Sequence, residues 1–405
     1  MLKIQFSKVK NTFLLLLITI VACGKAINPN KPKINVSQST EINTGASQLS
    51  AYLPLLKGKK VAIVGNPTSI VFDGRKKAVH LVDTLISHHI KITKVFAPEH
   101  GFRGKADAGE VIKNGIDLKT QLPIISLYGK NKKPSAELLK NVDIIIFDIQ
   151  DVGARFYTYI STLHYVMEAC AENKIPVLIL DRPNPNGHYI DGPLLEQSFK
   201  SFIGVHPIPI VHGMTIGEYA QMINGEKWLV NAIKCELKVI TMKNYTHSKS
   251  YDLPIKPSPN LPNATSINLY PSLCLFEGTN ISVGRGTNKQ FQIYGAPTLP
   301  KTDFTFTPQP NEGAKHPKHE KNVCYGKDLR SVKTLNQLNL QWLISAYTNS
   351  TEKSTFFTSF FKKLAGSESL QKQIEQGLSE NEIRATWKKE LENFKKIRSK
   401  YLLYD

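Results

Sequence analysis

The chain is poor in cysteine, with five in 405 residues, and none of the five stands at a zinc-binding spacing. That scarcity excludes a small disulfide-stapled scaffold, although pairing among Cys170, Cys235, Cys274 and Cys324 stays open. There is no glycine-rich loop carrying Lys and Ser or Thr, and no G-x-G-x-x-G opens a helix after an apolar run. A nucleotide-dependent or dinucleotide-dependent enzyme is therefore disfavoured. Acids are the scarcer charge, 33 Asp and Glu against 52 Lys and Arg, for a formal net charge of +19. Such an excess suits a polyanionic surrounding. The lack of an RNA-recognition signature or of a basic run interleaved with aromatics nevertheless speaks against nucleic acid as a partner. Internal repeats are absent, and Phe13 to Ala22 is too short to cross a bilayer as a stop-transfer helix.

That apolar run follows Lys3, Lys8 and Lys10, the pattern of a secretory signal. It closes on Ile20-Val21-Ala22-Cys23-Gly24, which resembles a bacterial lipobox. The expectation is a cleaved signal peptide over residues 1–22 and lipidation at Cys23. The mature chain would be anchored in the bacterial cell envelope, on the periplasmic face because no acidic pair follows Cys23. Residues 23–48 are rich in Asn, Pro, Lys, Ser and Thr and read as a flexible tether. With 41% hydrophobic and 21% charged residues, the remainder is globular and about two domains long.

Beyond the tether, short apolar runs alternate with helical patterns, the signature of βαβ units and a parallel sheet. Strands are expected at 60–65, 94–98, 123–127, 143–148, 176–180, 208–211 and 237–240. Helices are expected near 80–89, 135–140, 162–173 and 215–224. The first domain would span residues 49–251. Residues 254–300 are rich in Pro, Asn, Gly and Ser and read as ordered loops. From Leu370 the apolar residues return at helical intervals, with Gly377 marking a break between two helices.

In an open α/β sheet, ligands bind beyond the carboxyl ends of the strands. Three such ends carry acids and arginines: Glu99-His100-Gly101-Phe102-Arg103, Asp148-Ile149-Gln150-Asp151 with Arg155, and Asp181-Arg182-Pro183-Asn184. Mixed donors and acceptors of this kind suit sugar hydroxyls. Glycoside cleavage requires a proton donor and usually a second carboxylate. Glu99 is the best candidate for the donor, although strand-end position alone slightly favours a strand-end cap or a partner of Arg103. Further on, Gly284-Arg285-Gly286 can form an anion-binding nest.

The blocks FAPEHGFRGKADAGE, FDIQDVGARFYTYISTL, DRPNPNGHYIDGP, HGMTIGEYA, PSPNLPN and CLFEGTNISVGRGT resemble the exo-β-N-acetylmuramidase family called NamZ. The resemblance runs from about Leu49 to the end of the chain. It implies a Rossmann-like α/β catalytic domain with a smaller C-terminal auxiliary α+β domain over residues 252–405. It also implies release of terminal N-acetylmuramic acid from the non-reducing end of peptidoglycan-derived glycans or muropeptides, with no cofactor and no metal. Glu99 matches the family's proposed catalytic carboxylate. His100, Arg103, Gln150, Asp151, Arg155, Tyr157, Arg182, Asn184, Asn260, Glu277 and Arg285 fall in the matching blocks. One departure is Lys289-Gln290, where the family often has a proline before the aromatic.

A guanidinium can hold the lactyl carboxylate of N-acetylmuramic acid in a bidentate pair, which makes Arg155, Arg182 and Arg285 candidates for selecting it. The second catalytic group is Asp151 or Glu277, acting directly or by orienting the 2-acetamido group. A non-catalytic glycan-binding envelope lipoprotein is the alternative, and the sequence sets no oligomeric state.

Overall fold

The computed structural model describes residues 41–72, 77–103 and 114–405. The expected signal peptide, Cys23 and most of the tether lie outside the described residues. The strands are, in order, β1 (Lys60–Gly65), β2 (Ile70–Phe72), β3 (Ala78–His80), β4 (Lys91–Ala97), β5 (Gly115–Ile116), β6 (Pro123–Ser126), β7 (Ile144–Asp148), β8 (Val177–Leu180), β9 (Asp191–Leu194), β10 (Pro209–Val211), β11 (Leu237–Ile240), β12 (Ile293–Ala296), β13 (Thr305–Phe306) and β14 (Cys324–Asp328). The α-helices are α1 (Leu49–Leu56), α2 (Leu81–Ser87), α3 (Ala136–Leu139), α4 (Tyr159–Glu172), α5 (Ile216–Gly225), α6 (Ala264–Leu273), α7 (Gln341–Asn349), α8 (Ser359–Ala365), α9 (Ser369–Glu375) and α10 (Glu380–Arg398).

The main sheet has the order β11-β8-β7-β1-β4-β6-β5. All neighbours are parallel except β5 against β6. The six parallel strands thus follow the doubly wound order in which the chain reverses direction across the sheet between β1 and β7. Alternation along each strand feeds two cores. Val61, Ile63, Ile144 and Ile146 pack on one face with α1 and α2, whereas Ala62, Val64, Ile145 and Phe147 pack on the other with α4 and α5. The second core continues without a break into the C-terminal helices, through Leu364, Trp387 and Phe394.

Three expectations change. The strand at 208–211 forms, as β10, but pairs antiparallel with β9 outside the main sheet. The tether ends earlier than Gln48, because Asn43 bridges Lys243 and the Gly45 N–H donates to the Asp181 carbonyl. A Cβ at Gly45 would lie 2.4 Å from the Ile240 carbonyl oxygen, so a glycine permits this approach. The stretch 254–300 is not loop throughout. Asn263 caps α6 with a reciprocal bond from Ser266, and β12 joins β13 and β14 in a three-stranded antiparallel sheet. Composition hid both elements. The break at Gly377 is present between α9 and α10, with Gly377 in the left-handed region at φ 79°.

Candidate active site

Beyond the carboxyl end of β4 the chain turns sharply. His100 and Gly101 both take positive φ, 71° and 78°, and the Gly101 N–H donates to the Pro98 carbonyl. A β-carbon costs energy in this region, although His is one of the residue types that enter it more readily. The turn puts Glu99 on the wall of a cleft of about 250 Å³. Its Oε2 accepts a 2.8 Å hydrogen bond from the hydroxyl of Thr158, the residue immediately before α4. Tyr128, the second residue past β6, lies on the same wall. Burial, and then the neighbouring Glu99 carboxylate, push its phenol well above the usual range.

Other lining residues of the cleft come from the C-terminal half. Glu277 and Arg285 are among them, with the arginine Nε 3.2 Å from both carboxylate oxygens. The Arg285 guanidinium also lies 5.3 Å over the Phe291 ring. The segment bearing Glu277 is tied down by Lys318, whose ammonium donates to the carbonyls of Phe276, Thr279 and Ile281. Burial pushes that ammonium below its ordinary value.

Asn260 also lines the cleft. Its Nδ2 donates 2.6 Å to the Gly313 carbonyl, while its Oδ1 is buried and has no hydrogen-bond partner among the described residues. The loop before it is pinned by Tyr157, whose hydroxyl donates 2.8 Å to the Pro257 carbonyl.

Of the residues singled out in the sequence, Glu99, His100, Tyr157, Asn260, Glu277 and Arg285 therefore meet at one cleft. The others are placed elsewhere, which corrects the expectation of a single rim. Arg182 is buried in a two-pronged pair with Asp148, at 2.6 and 2.9 Å. Arg155 is fully buried, and its guanidinium donates to the carbonyls of Pro193, Ile208, Leu364 and Ala365. Arg103 bridges Asp83 and Asp117. Gln150 donates to the carbonyls of Asp151 and Pro183, and Asn184 Nδ2 to that of Met214. Asp151 is buried and does not line the cleft, with Oδ2 accepting from the Gly153 N–H and Oδ1 without a hydrogen-bond partner among the described residues. Burial pushes its carboxyl up to about 7. In turn, Thr158, Tyr128, Tyr270 and Phe291 line the cleft without having been singled out. Tyr128 was accessible to the strand-end rule, and Thr158 lies inside a quoted block.

The model of the N-terminal part of exo-beta-N-acetylmuramidase NamZ matches residues 61–265, and that of its C-terminal part matches residues 268–404. The chain belongs to this family. Peptidoglycan beta-N-acetylmuramidase NamZ of Bacillus subtilis (strain 168) is 40% identical to it over 405 aligned residues, covering 92% of this chain and 94% of that protein. Crystal structures of two DUF1343 family proteins of Bacteroides fragilis NCTC 9343 share the fold. One has a TM-score of 0.83 at 48% identity and the other 0.76 at 28%, each covering 90% of this chain and 99% of the other. The NamZ family assignment and the α/β fold agree with the reading of the sequence motifs. The cleft of this family member draws on both matched parts, with Glu99 from the first and Glu277 and Arg285 from the second.

Proposed function

We infer that this chain is an exo-acting glycoside hydrolase, a β-N-acetylmuramidase that removes terminal N-acetylmuramic acid from the non-reducing end of peptidoglycan fragments. The observation that carries the reading is that Glu99 and Glu277 line one cleft, with a guanidinium beside Glu277. Glycosidic cleavage needs a carboxylic acid to protonate the leaving oxygen and a second group to stabilise the cationic sugar. Glu99 supplies the proton, its carboxyl oriented by the Thr158 hydroxyl. Glu277, paired with Arg285, is the second group, either facing the anomeric carbon or steering the 2-acetamido substituent. Arg285 is also the one arginine of the three candidates that lines the cleft, so recognition of the lactyl carboxylate falls to it. The unpartnered Asn260 Oδ1 is an acceptor for the acetamido N–H.

The deciding experiment is turnover of a chromogenic β-N-acetylmuramoside by the Glu99→Gln variant. Loss of at least about a thousandfold in kcat with binding retained supports the assignment. Near-normal kcat would sink it. The lipobox-like run supports anchoring of the mature chain in the envelope through Cys23, facing the periplasm. Incorporation of labelled fatty acid into the intact chain but not into Cys23→Ser checks that part.

A further inference from the structure

A second strand end approaches Glu99. β4 and β6 run parallel with Ala97 opposite Ser126, so the register carries Glu99 and Tyr128, each two residues further on, past the same end of the sheet side by side. The backbone is held there: the Leu127 N–H donates 2.8 Å to the Ala97 carbonyl, and the Tyr128 N–H donates 3.2 Å to the Ser126 hydroxyl. Both side chains line the cleft, and the Tyr128 phenol is hydrogen-bonded to the Glu99 carboxylate.

The ring that carries this phenol is braced from behind. Phe202, also in the lining, meets it edge-on with centroids 6.1 Å apart. Phe202 is in turn stacked on Tyr165 at 6.2 Å, and the Lys132 ammonium lies 4.7 Å over its face. None of these contacts uses the Tyr128 hydroxyl, which leaves that group to the cleft. Burial, and then the charge of Glu99, keep the phenol in its neutral form, so it meets the carboxylate as a donor.

We propose that Tyr128 is a positioning residue for the acid: its O–H, together with that of Thr158, aims the Glu99 carboxyl and stabilises the carboxylate left behind when the proton passes to the leaving oxygen. The proposal rests on the reading of Glu99 as proton donor. A hydrogen bond to an ionised oxygen is stronger than one to a neutral carboxyl. The contact therefore gains strength as the proton leaves, and that gain lowers the barrier rather than tightening the ground-state complex.

The test is the Tyr128→Phe variant, which removes the hydroxyl and keeps the ring against Phe202. Turnover of the chromogenic muramoside is measured across the pH range beside the wild type and Glu99→Gln. In Tyr128→Phe, kcat should fall about tenfold with KM within about twofold. The alkaline limb of the kcat/KM profile should move up by about half to one pH unit, because the ionised acid has lost a donor. The other ionisable groups around Glu99 are His100 next to it, Tyr157, Tyr159, Tyr270, Cys274, and Glu277 with Arg285. All are retained in the variant, so a moved limb belongs to the Tyr128 contact. A full kcat, a limb that stays in place or moves down, or a loss that appears in KM alone would each overturn the proposal. A large loss in Glu99→Gln beside an unaffected Tyr128→Phe overturns this proposal and leaves the reading of the cleft standing. Normal turnover by Glu99→Gln overturns both.

Discussion

The Thr158 hydroxyl donates to Glu99 Oε2 at 2.8 Å, linking the residue immediately before α4 to the candidate acid past the end of β4. Ser keeps this bond and Val removes it, with little change in side-chain volume. Thr158→Val should lower kcat on a muramoside by about 10-fold, the size of one lost hydrogen bond, with KM changed far less. Thr158→Ser should restore most of the loss. A Val variant with a full kcat would detach Thr158 from the chemistry.

Arg285 is argued to read the lactyl arm. Its replacement by Gln should therefore damage the muramoside more than the corresponding N-acetylglucosaminide, which lacks the carboxylate. A bond between charged partners is worth about 1.5–3 kcal/mol, or roughly 10- to 150-fold in kcat/KM. The ratio of the two kcat/KM values should collapse by that factor. Equal losses on both substrates would instead mean that Arg285 serves Glu277 alone.

How far the site could be read from the chain depended on which way side chains turn. Glu99, Glu277 and Arg285 were found because motif blocks and strand ends mark the top of a parallel sheet. The same rule also pointed to Arg182 and Arg155, and no local pattern distinguishes them. Arg182 turns to Asp148, 34 residues away, on the neighbouring strand, and Arg155 reaches carbonyls more than 200 residues downstream. Burial of a cation is decided by partners that only the folded chain brings near. The parallel strands were legible because each carries a short apolar run rich in Val and Ile, as in Val61-Ala62-Ile63-Val64 and Ile144-Ile145-Ile146-Phe147. Two-residue β5 and the capped helix α6 carry too little apolar periodicity to stand out.

Lys318 makes a prediction about position. Its ammonium satisfies three backbone carbonyls that flank Glu277. Lys318→Met takes this donor from the Thr279 and Ile281 carbonyls, at a cost of about 1–3 kcal/mol each where no water enters, whereas the Phe276 carbonyl keeps the Thr279 N–H and hydroxyl. Unfolding in denaturant should show a loss of about 3 kcal/mol. In the folded fraction kcat should drop more than KM rises, because Glu277 loses its support. An unchanged midpoint together with an unchanged kcat would remove Lys318 from the account.

Asp151 gives the pH dependence. Its carboxyl lies 3.8 Å from the ring of His212, which burial pushes down to about 3, so the imidazole is neutral and offers no compensating charge. With its own value raised from 3.8 to about 7 by burial, the folded chain keeps a proton on Asp151 that the unfolded chain has already released. The associated stability is therefore fully present below about 4 and is lost as pH rises through about 7, by as much as ~4 kcal/mol. Asp151→Asn keeps an acceptor for the Gly153 N–H but cannot ionise. Relative to the wild type, the variant should become more stable on going from pH 5 to pH 8, by about 1–4 kcal/mol in paired denaturant titrations. A difference between the two proteins that is the same at both pH values would show that Asp151 is ionised in the fold throughout this range.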